Sequence, residues 1–135
     1  MYKETFTYED FNGLERTEDF YFNLSEAELL EMNTSYEGGL MTMLNKIVAA
    51  QDGPTIMKWF KKILLAAYGE KSEDGRYFDK SAEIKHRFEH TPVYSIMYTK
   101  LATDDEYAAK FMNSIVPTPK DNKGKPALKE IPANN

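Results

Sequence analysis

Two histidines four residues apart have the spacing that most resembles a catalytic metal site. His86-Arg87-Phe88-Glu89-His90 fits the H-x-x-E-H pattern of inverted zincin enzymes, in which both histidines face one zinc ion from a helix. Zinc hydrolysis also needs a third ligand, an open coordination position and a substrate cleft. The alternative is a solvated helix face with Phe88 buried between His86 and His90. No metal site is predicted, and a small metal-dependent hydrolase using the two histidines is kept as a remote alternative.

The polar segment of residues 68–81 is the second candidate, since connections in compact domains usually have about 4 to 6 residues. Three of its side chains match the first, third and fifth ligand positions of a calcium loop, but the twelfth position, which requires a bidentate glutamate, is Ser81. The segment is therefore predicted to be a turn, with Tyr77 and Phe78 returning to the core. It has no nucleophile and no phosphate cradle, so no catalytic residue and no cofactor is predicted. The three matching side chains are Glu70, Ser72 and Asp74.

Composition restricts the possible partners. The chain has 135 residues, enough for one domain, and no cysteine, which excludes disulfides and thiolate metal sites. Residues 1–116 contain 13 Lys and Arg against 20 Asp and Glu, a net charge of −7, and residues 117–135 carry a net charge of +2. An acidic body repels phosphate backbones, and no apolar run suits a membrane span or a signal peptide. We therefore expect neither nucleic acid nor a membrane as a partner.

Residues 1–24 are predicted to form a β-hairpin, because large apolar side chains occupy even positions on both sides of an Asn-Gly pair. A two-residue turn would put the aromatic residues of the two strands on opposite faces. A three-residue loop at residues 11–13, with Gly13 in the left-handed conformation, puts them on one face. We predict the second register, with Phe6 buried and Glu18 largely exposed. The shared face then consists of Tyr2, Phe6, Tyr8, Phe20 and Phe22.

Residues 25–116 are predicted to form five or six helices. Ser25 begins the first helix in a capping box with Glu28. Pro54 begins the third, which has the strongest apolar stripe, is predicted to be the central core helix and ends at Gly69. The stripe of the second helix consists of Leu40, Met43, Leu44, Ile47 and Val48. The stripe of the third consists of Ile56, Trp59, Phe60, Ile63, Leu64 and Ala67. The N-caps predicted for the last three helices are Ser81, Thr91 and Thr103.

Methionine and aromatic side chains suit an adaptable partner surface, because they repack at little cost. Most of them lie on the helical stripes and are predicted to be core residues. Those that lie off the stripes are the partner-binding candidates. They are Tyr2, Tyr21, Tyr36, Met41 and Met57.

A series of short motifs runs along the chain in a characteristic order. They are Asp10-Phe11-Asn12-Gly13, the segments 20–25 and 28–32, the polar segment 68–81, Phe88, Tyr94-Ser95 and the segment 111–117. In this order and spacing they resemble the small tail assembly chaperones of long-tailed, siphovirus-type bacteriophages of Gram-positive bacteria, over roughly residues 4–117. The likeness lies in the pattern, so no individual binding residue is carried over.

The resemblance implies a protein without catalysis in the cytoplasm of the host bacterium. Such a chaperone binds the tape-measure protein, with the tail tube protein as a second candidate partner. It keeps the tape-measure protein soluble during tail morphogenesis and is absent from the mature virion. The alternative is a structural tail or connector protein retained in the virion. The free edges of the hairpin would also allow self-association.

The fold expected from these observations is α+β and mainly helical. An N-terminal hairpin (residues 1–24) packs beside a five- or six-helix bundle (residues 25–116) in one globular domain. Residues 117–135 contain four prolines and no aromatic residue, which predicts a disordered C-terminal tail.

Overall fold

The fold is mainly helical, with an N-terminal β-hairpin beside six helices, so the predicted α+β class is confirmed. The computed structural model describes residues 1–117, apart from the side chains of Leu44, Ile47 and Val48. The predicted tail lies outside the described residues beyond Pro117, and the domain boundaries stay predictions. The elements are β1 (Tyr2–Glu9), β2 (Glu15–Phe22), α1 (Glu26–Thr34), α2 (Gly39–Ala50), α3 (Gly53–Ala67), β3 (Tyr68–Lys71), β4 (Phe78–Asp79), α4 (Ala82–Glu89), α5 (Pro92–Thr103) and α6 (Asp105–Ile115).

The hairpin has the predicted register. Phe6 lies opposite Glu18, and the even-numbered aromatic residues of β1 and β2 share the face that packs on the helices. Phe6 is buried, with 6% of its surface exposed. Glu18 keeps 42% of its side chain exposed and accepts a hydrogen bond from the Tyr8 hydroxyl at 2.6 Å, so it is half-exposed rather than largely exposed. A slip of one residue would turn the aromatic face to water.

The turn of the hairpin is the predicted three-residue loop. Gly13 has a φ of +82°, a left-handed conformation that strains any residue with a Cβ. The Gly13 amide donates to the Asp10 carbonyl at 2.9 Å, and the Asp10 amide donates to the Leu14 carbonyl at 2.8 Å. The Asp10 carboxylate accepts from the Leu14 amide at 3.0 Å and from the Arg16 guanidinium at 2.7 Å, and both bonds lower the pKa of Asp10. These bonds hold the register at this end of the hairpin.

The polar segment of residues 68–81 is not a simple turn. It forms a second hairpin, β3 and β4, and β3 pairs with the end of β2, so the sheet has the order β1-β2-β3-β4. Gly69 lies in β3 instead of ending a helix, and a Cβ there would lie 2.6 Å from a ring carbon of Phe78. Tyr77, which was predicted to return to the core, is 67% exposed. Tyr77 precedes β4 and lies in the connection between β3 and β4, whereas the half-buried ring of Phe78 covers Gly69 of the neighbouring strand.

The core lies between the aromatic face of the sheet and helices α3 to α6. Helix α3 contributes its C-terminal half, where Ile63 and Leu64 are buried, whereas Trp59 and Phe60 are half-exposed. The predicted core positions of Ile63 and Leu64 are confirmed, whereas Trp59 and Phe60, which are also predicted to be core residues, are only partly covered. Because α3 runs directly into β3, its last turns lie against the sheet and its first turns extend beyond it. None of the helices found in residues 1–117 has both the length and the apolarity needed to cross a bilayer.

The helix starts follow the local sequence. Ser25 and Glu28 form the predicted capping box, with bonds of 2.8 and 3.0 Å in the two directions. The cap predicted at Thr103 is wrong by one residue, because the Asp104 carboxylate accepts from the Tyr107 amide at 3.1 Å. Helix α5 continues to Thr103, whose hydroxyl donates within that helix and is not free to cap the next one. The other predicted caps that the structure confirms are Ser81 and Thr91.

A partly buried carboxylate joins the hairpin to α6. Glu4 Oε1 accepts hydrogen bonds from the hydroxyls of Tyr2 and Tyr107, at 2.7 and 2.8 Å. Burial, and then the bond to Glu4, raises the pKa of both phenols above its ordinary value of 10.0. The ring of Tyr2 lies edge-on to Phe111, with ring centroids 5.8 Å apart. Tyr2 thus directs its hydroxyl toward the interior of the fold.

These phenols predict a loss of stability in alkali. A group whose pKa is raised in the folded state stabilises fully below its unfolded pKa, and this contribution is lost as the pH rises from about 10 through the folded pKa. Tyr107→Phe should lose the Glu4 bond at pH 8, about 1 kcal/mol. Above pH 10 the unfolding free energy of Tyr107→Phe should fall less steeply with pH than that of the wild type. The two slopes should differ by less than about 1.4 kcal/mol per pH unit, which is the limit for one titrating group.

Urea unfolding between pH 8 and 11.5, with tyrosine absorbance followed in parallel, measures this difference. The exposed Tyr77 supplies the control, since Tyr77→Phe removes a hydroxyl that has no contact with Glu4 and should leave the unfolding free energy at pH 8 nearly unchanged. Equal slopes for the wild type and Tyr107→Phe would contradict the assignment.

Candidate functional site

An apolar groove lies between helices α2, α3 and α6, and we name it the three-helix groove. Its volume is about 330 Å³. Each of the three helices contributes to its walls. The lining residues are Met41 and Asn45 from α2, Ile56, Trp59 and Phe60 from α3, and Asp105, Ala108, Ala109, Met112 and Asn113 from α6.

The groove exists because two amphipathic stripes extend beyond the core. On α3 the buried stripe at Ile63 and Leu64 continues toward the helix start, where Trp59 and Phe60 are only half-covered. On α6 the small side chain of Ala109 is exposed beside Met112, which is buried. Small residues on one helix opposite large aromatic residues on another leave a concave apolar surface.

Trp59 forms one wall and is fixed by its neighbours. Tyr36 lies edge-on to the Trp59 ring, with the ring centroids 5.2 Å apart and an interplanar angle of 79°. The Lys62 ammonium lies 4.6 Å from the centre of the same ring, within the range of a cation–π contact. The indole therefore has partners on two sides and presents a defined surface to the groove.

The chemistry of the groove favours binding over catalysis. Asp105 is the one ionisable side chain among the lining residues, and Asn45 and Asn113 are the uncharged polar ones. Nucleophilic catalysis pairs a nucleophile with a base within hydrogen-bond reach, and the lining residues offer Asp105 no second ionisable side chain for such a pair. An apolar cleft of this kind accommodates the apolar face of an amphipathic helix.

The structure brings two of the five predicted partner-binding residues to this groove. Met41, with 46% of its surface exposed, lines it, and Tyr36 reaches its wall. Met57 is exposed on α3 outside the lining. Tyr2 and Tyr21 lie on the sheet. A binding role for any of the five stays a prediction.

The sequence did not predict that residues of α3 and α6 line a groove. Ile56, Trp59 and Phe60 belong to a regular apolar stripe, and such a stripe predicts core residues. The available signal was the pair Ala108 and Ala109 on α6, because small residues facing a long stripe leave it incompletely covered.

The two histidines lie side by side at the surface, His86 on α4 and His90 at the C-cap of that helix. Their ring centroids are 4.5 Å apart, and His90 Nδ1 lies 2.7 Å from the His86 carbonyl oxygen. Phe88 between them is buried, as predicted. Within residues 1–117 no group of three or more His, Asp and Glu side chains is arranged to hold a metal ion.

The candidate calcium ligands form hydrogen bonds within the second hairpin. The Ser72 hydroxyl donates to the Asp74 carboxylate at 2.8 Å and accepts from the Tyr77 amide at 3.0 Å. Asp74 also accepts from the Arg76 amide at 3.0 Å, and these bonds lower the pKa of Asp74. The side chains of Ser72 and Asp74 therefore close the turn.

Comparison with known proteins gives one match. A family model described as phage tail assembly chaperone matches residues 1–129. The role named for this family belongs to tail assembly in the infected cell and is not catalytic. Comparisons with the curated proteins and with the solved structures found no match.

Proposed function

Since the chain belongs to the phage tail assembly chaperone family, we propose that it binds the tape-measure protein of a long-tailed phage and keeps it soluble. The binding takes place in the cytoplasm of the host bacterium, before the tail tube forms, and involves no catalysis, nucleic acid or membrane. The tail tube protein is a possible second partner. The chaperone leaves the assembly and is absent from the mature virion.

The proposed mechanism is the masking of helical apolar faces. A long helical protein that has not yet been enclosed exposes apolar stripes, and such stripes drive aggregation. The three-helix groove offers a complementary surface, in which apolar side chains from successive turns of the partner helix contact Trp59, Phe60 and Met41. The thioether of Met41 adapts to different side chains, which suits a partner with many similar segments.

The charge of the chaperone supports this role. Residues 1–116 carry a net charge of −7, while the lining of the groove contains a single ionisable side chain. An apolar site on an acidic body lets a complex remain in solution after the partner's apolar face is covered. The observation that carries the proposal is this groove in a member of an assembly chaperone family.

The test is co-expression with the tape-measure protein of the same phage. Ala109→Arg places a long charged side chain in the groove, so tape-measure binding should weaken at least ten-fold, about 1.4 kcal/mol. More of the tape-measure protein should then be found in the insoluble fraction. Ala102→Arg is the matched control, because Ala102 is also an exposed helical alanine but lies outside the groove.

Further measurements separate this proposal from its rivals. Because masking is chiefly hydrophobic, affinity should fall only modestly between about 50 and 500 mM salt. Substitution of Tyr36 or Met57 should weaken binding more than substitution of the lysines beyond residue 117. Equal binding by Ala109→Arg and Ala102→Arg would contradict the role of the groove. Recovery of this chain in stoichiometric amounts from purified virions would favour the structural tail or connector protein instead.

A further inference from the structure

Strand β1 forms an open edge of the sheet. It is the first strand in the order β1-β2-β3-β4, and within residues 1–117 no other segment pairs with its outer side. The odd-numbered side chains of β1 are all exposed. They are Lys3, Thr5, Thr7 and Glu9.

The hydrogen-bond pattern shows which backbone groups face this edge. The Asp10 amide bonds to the Leu14 carbonyl at 2.8 Å, so this opposed pair is a hydrogen-bonded one. Hydrogen-bonded and non-hydrogen-bonded pairs alternate along an antiparallel ladder. The even residues of β1 therefore bond to β2, and the amides and carbonyls of its four odd residues point outward.

We propose that β1 pairs antiparallel with β1 of a second copy of this chain, with Phe6 opposite Phe6 at a two-fold axis. This register places Lys3 opposite Glu9 and Thr5 opposite Thr7, each pair occurring twice. Every outward amide and carbonyl of the four odd residues then has a partner in the other strand. The two sheets join into one continuous sheet whose aromatic faces lie on the same side.

The proposed register is favoured over registers shifted by one or two residues, because it pairs opposite charges and keeps the core-facing side chains on one face. A shift by one residue would place core-facing side chains opposite solvent-facing ones. A shift by two residues in either direction would leave both Lys3 and Glu9 without an opposite charge and would reduce the number of backbone bonds. Opposite charges across a ladder stabilise it, and like charges destabilise it.

Self-pairing through the free part of the β2 edge is less favourable than self-pairing through β1. Only Tyr21 and Phe22 of β2 pair with β3, so the backbone groups of Glu15, Thr17 and Asp19 remain open on that side. Antiparallel self-pairing centred on Thr17 would bring Glu15 opposite Asp19, which are like charges. Self-association through β1 is therefore favoured over self-association through β2.

A dimer of this kind carries two three-helix grooves. Two linked sites raise the avidity for a long partner with repeated helical segments. This consequence rests on the proposed function, whereas the strand pairing does not, and the experiments below use this chain alone.

Paired proline variants test the edge. Thr7 and Thr17 lie directly opposite each other, are both exposed, and their hydroxyls are 2.9 Å apart. Thr7→Pro removes an outward donor on the β1 edge, and Thr17→Pro removes the equivalent donor on the β2 edge, while both lose the same hydroxyl contact. Sedimentation across a concentration series should show a dimer for the wild type and Thr17→Pro. Thr7→Pro should be monomeric, with circular dichroism confirming that it is folded.

Charge exchange tests the register without a proline. Lys3→Glu and Glu9→Lys each place like charges opposite one another in the proposed pairing, so each homodimer should dissociate at least ten-fold more readily. A mixture of the two variants restores opposite charges at every position and should form a heterodimer close to the wild type in affinity.

Several results would overturn the proposal. They are a wild-type chain that is monomeric up to about 1 mM, a dimer that survives Thr7→Pro, equal dissociation by both proline variants, and a mixture that fails to restore pairing. A dissociation constant of about 1 mM corresponds to a binding free energy of only about −4.1 kcal/mol, and weaker pairing would leave the chain mostly monomeric.

Discussion

Replacing Phe88 by alanine is expected to lower the free energy of unfolding by about 3 to 5 kcal/mol. Phe88 is 2% exposed and stacks on Tyr68, with ring centroids 4.0 Å apart and an interplanar angle of 7°. Phe20 and Phe22 of the hairpin lie 6.0 and 5.8 Å away, so one ring connects the sheet to α4. Its removal leaves a cavity among aromatic neighbours that are held by other contacts. Urea unfolding followed by far-UV circular dichroism measures the loss.

The histidines on either side of Phe88 are the control. His86→Ala with His90→Ala should change the unfolding free energy by no more than about 0.5 kcal/mol, because both residues are at the surface. The double variant should also leave tail assembly intact. A larger loss, or stoichiometric zinc in protein purified without added metal, would revive the hydrolase alternative.

Replacing Lys80 by methionine is expected to cost about 2 to 4 kcal/mol, because it removes the charged donor that the partly buried carboxylate of Glu28 shares with two backbone carbonyls. The Lys80 ammonium lies 2.8 Å from both carboxylate oxygens of Glu28. It also donates to the Asn23 carbonyl at 2.7 Å and to the Ala66 carbonyl at 2.9 Å. This one side chain thus joins the second hairpin to α1, α3 and the end of the first hairpin.

The pH dependence of this pair follows from Glu28. Burial alone would raise the pKa of Glu28, but the bonds from Lys80 and from the Ser25 amide hold it below its ordinary value of 4.5. A carboxylate with a lowered pKa stabilises the fold above about pH 4.5, and this contribution is lost as the pH falls. Lys80→Met should therefore flatten the acid side of the stability profile as well as lower its plateau.

Thermal and urea unfolding from pH 3 to 8 measures both effects. Lys71→Met is the matched control, since Lys71 is an exposed lysine of the same hairpin. Its ammonium donates to the Ser72 carbonyl at 3.3 Å and lies 5.7 Å from the centre of the Tyr21 ring, and it has no carboxylate partner among the described contacts. It should change the unfolding free energy by no more than about 0.5 kcal/mol. Equal effects of the two substitutions would show that the contacts of Lys80 do not stabilise the fold.

Local elements were predictable where short-range chemistry decides them. The register of the first hairpin followed from the even spacing of its aromatic residues and from Gly13. The capping box at Ser25 and the inward position of Phe88 also depend on residues within one or two turns of each other. The cap at Thr103 failed by one residue, because the end of one helix and the start of the next competed for the same segment.

Features that depend on distant segments were not predictable. β3 pairs with the end of β2, and Lys80 bonds to Glu28, although each contact joins parts of the chain that are far apart in sequence. A stripe such as that of α3 shows that a helix has an apolar face, but not how much of that face another helix covers. The buried half and the groove-lining half of α3 therefore have the same appearance in the sequence.

The sequence by itself determined the class of fold, the hairpin register, most helix starts and a resemblance to tail assembly chaperones, which the family match over residues 1–129 confirms. These properties depend on periodicity, capping and turn chemistry, which act between near neighbours. The tertiary structure decided that the polar segment extends the sheet and that α2, α3 and α6 enclose a groove. It also decided which of the two hairpin edges is partly covered, because β3 pairs with the end of β2 and leaves the β1 edge open. Coverage, pairing and exposure depend on which elements meet, and that is set by packing of the whole core.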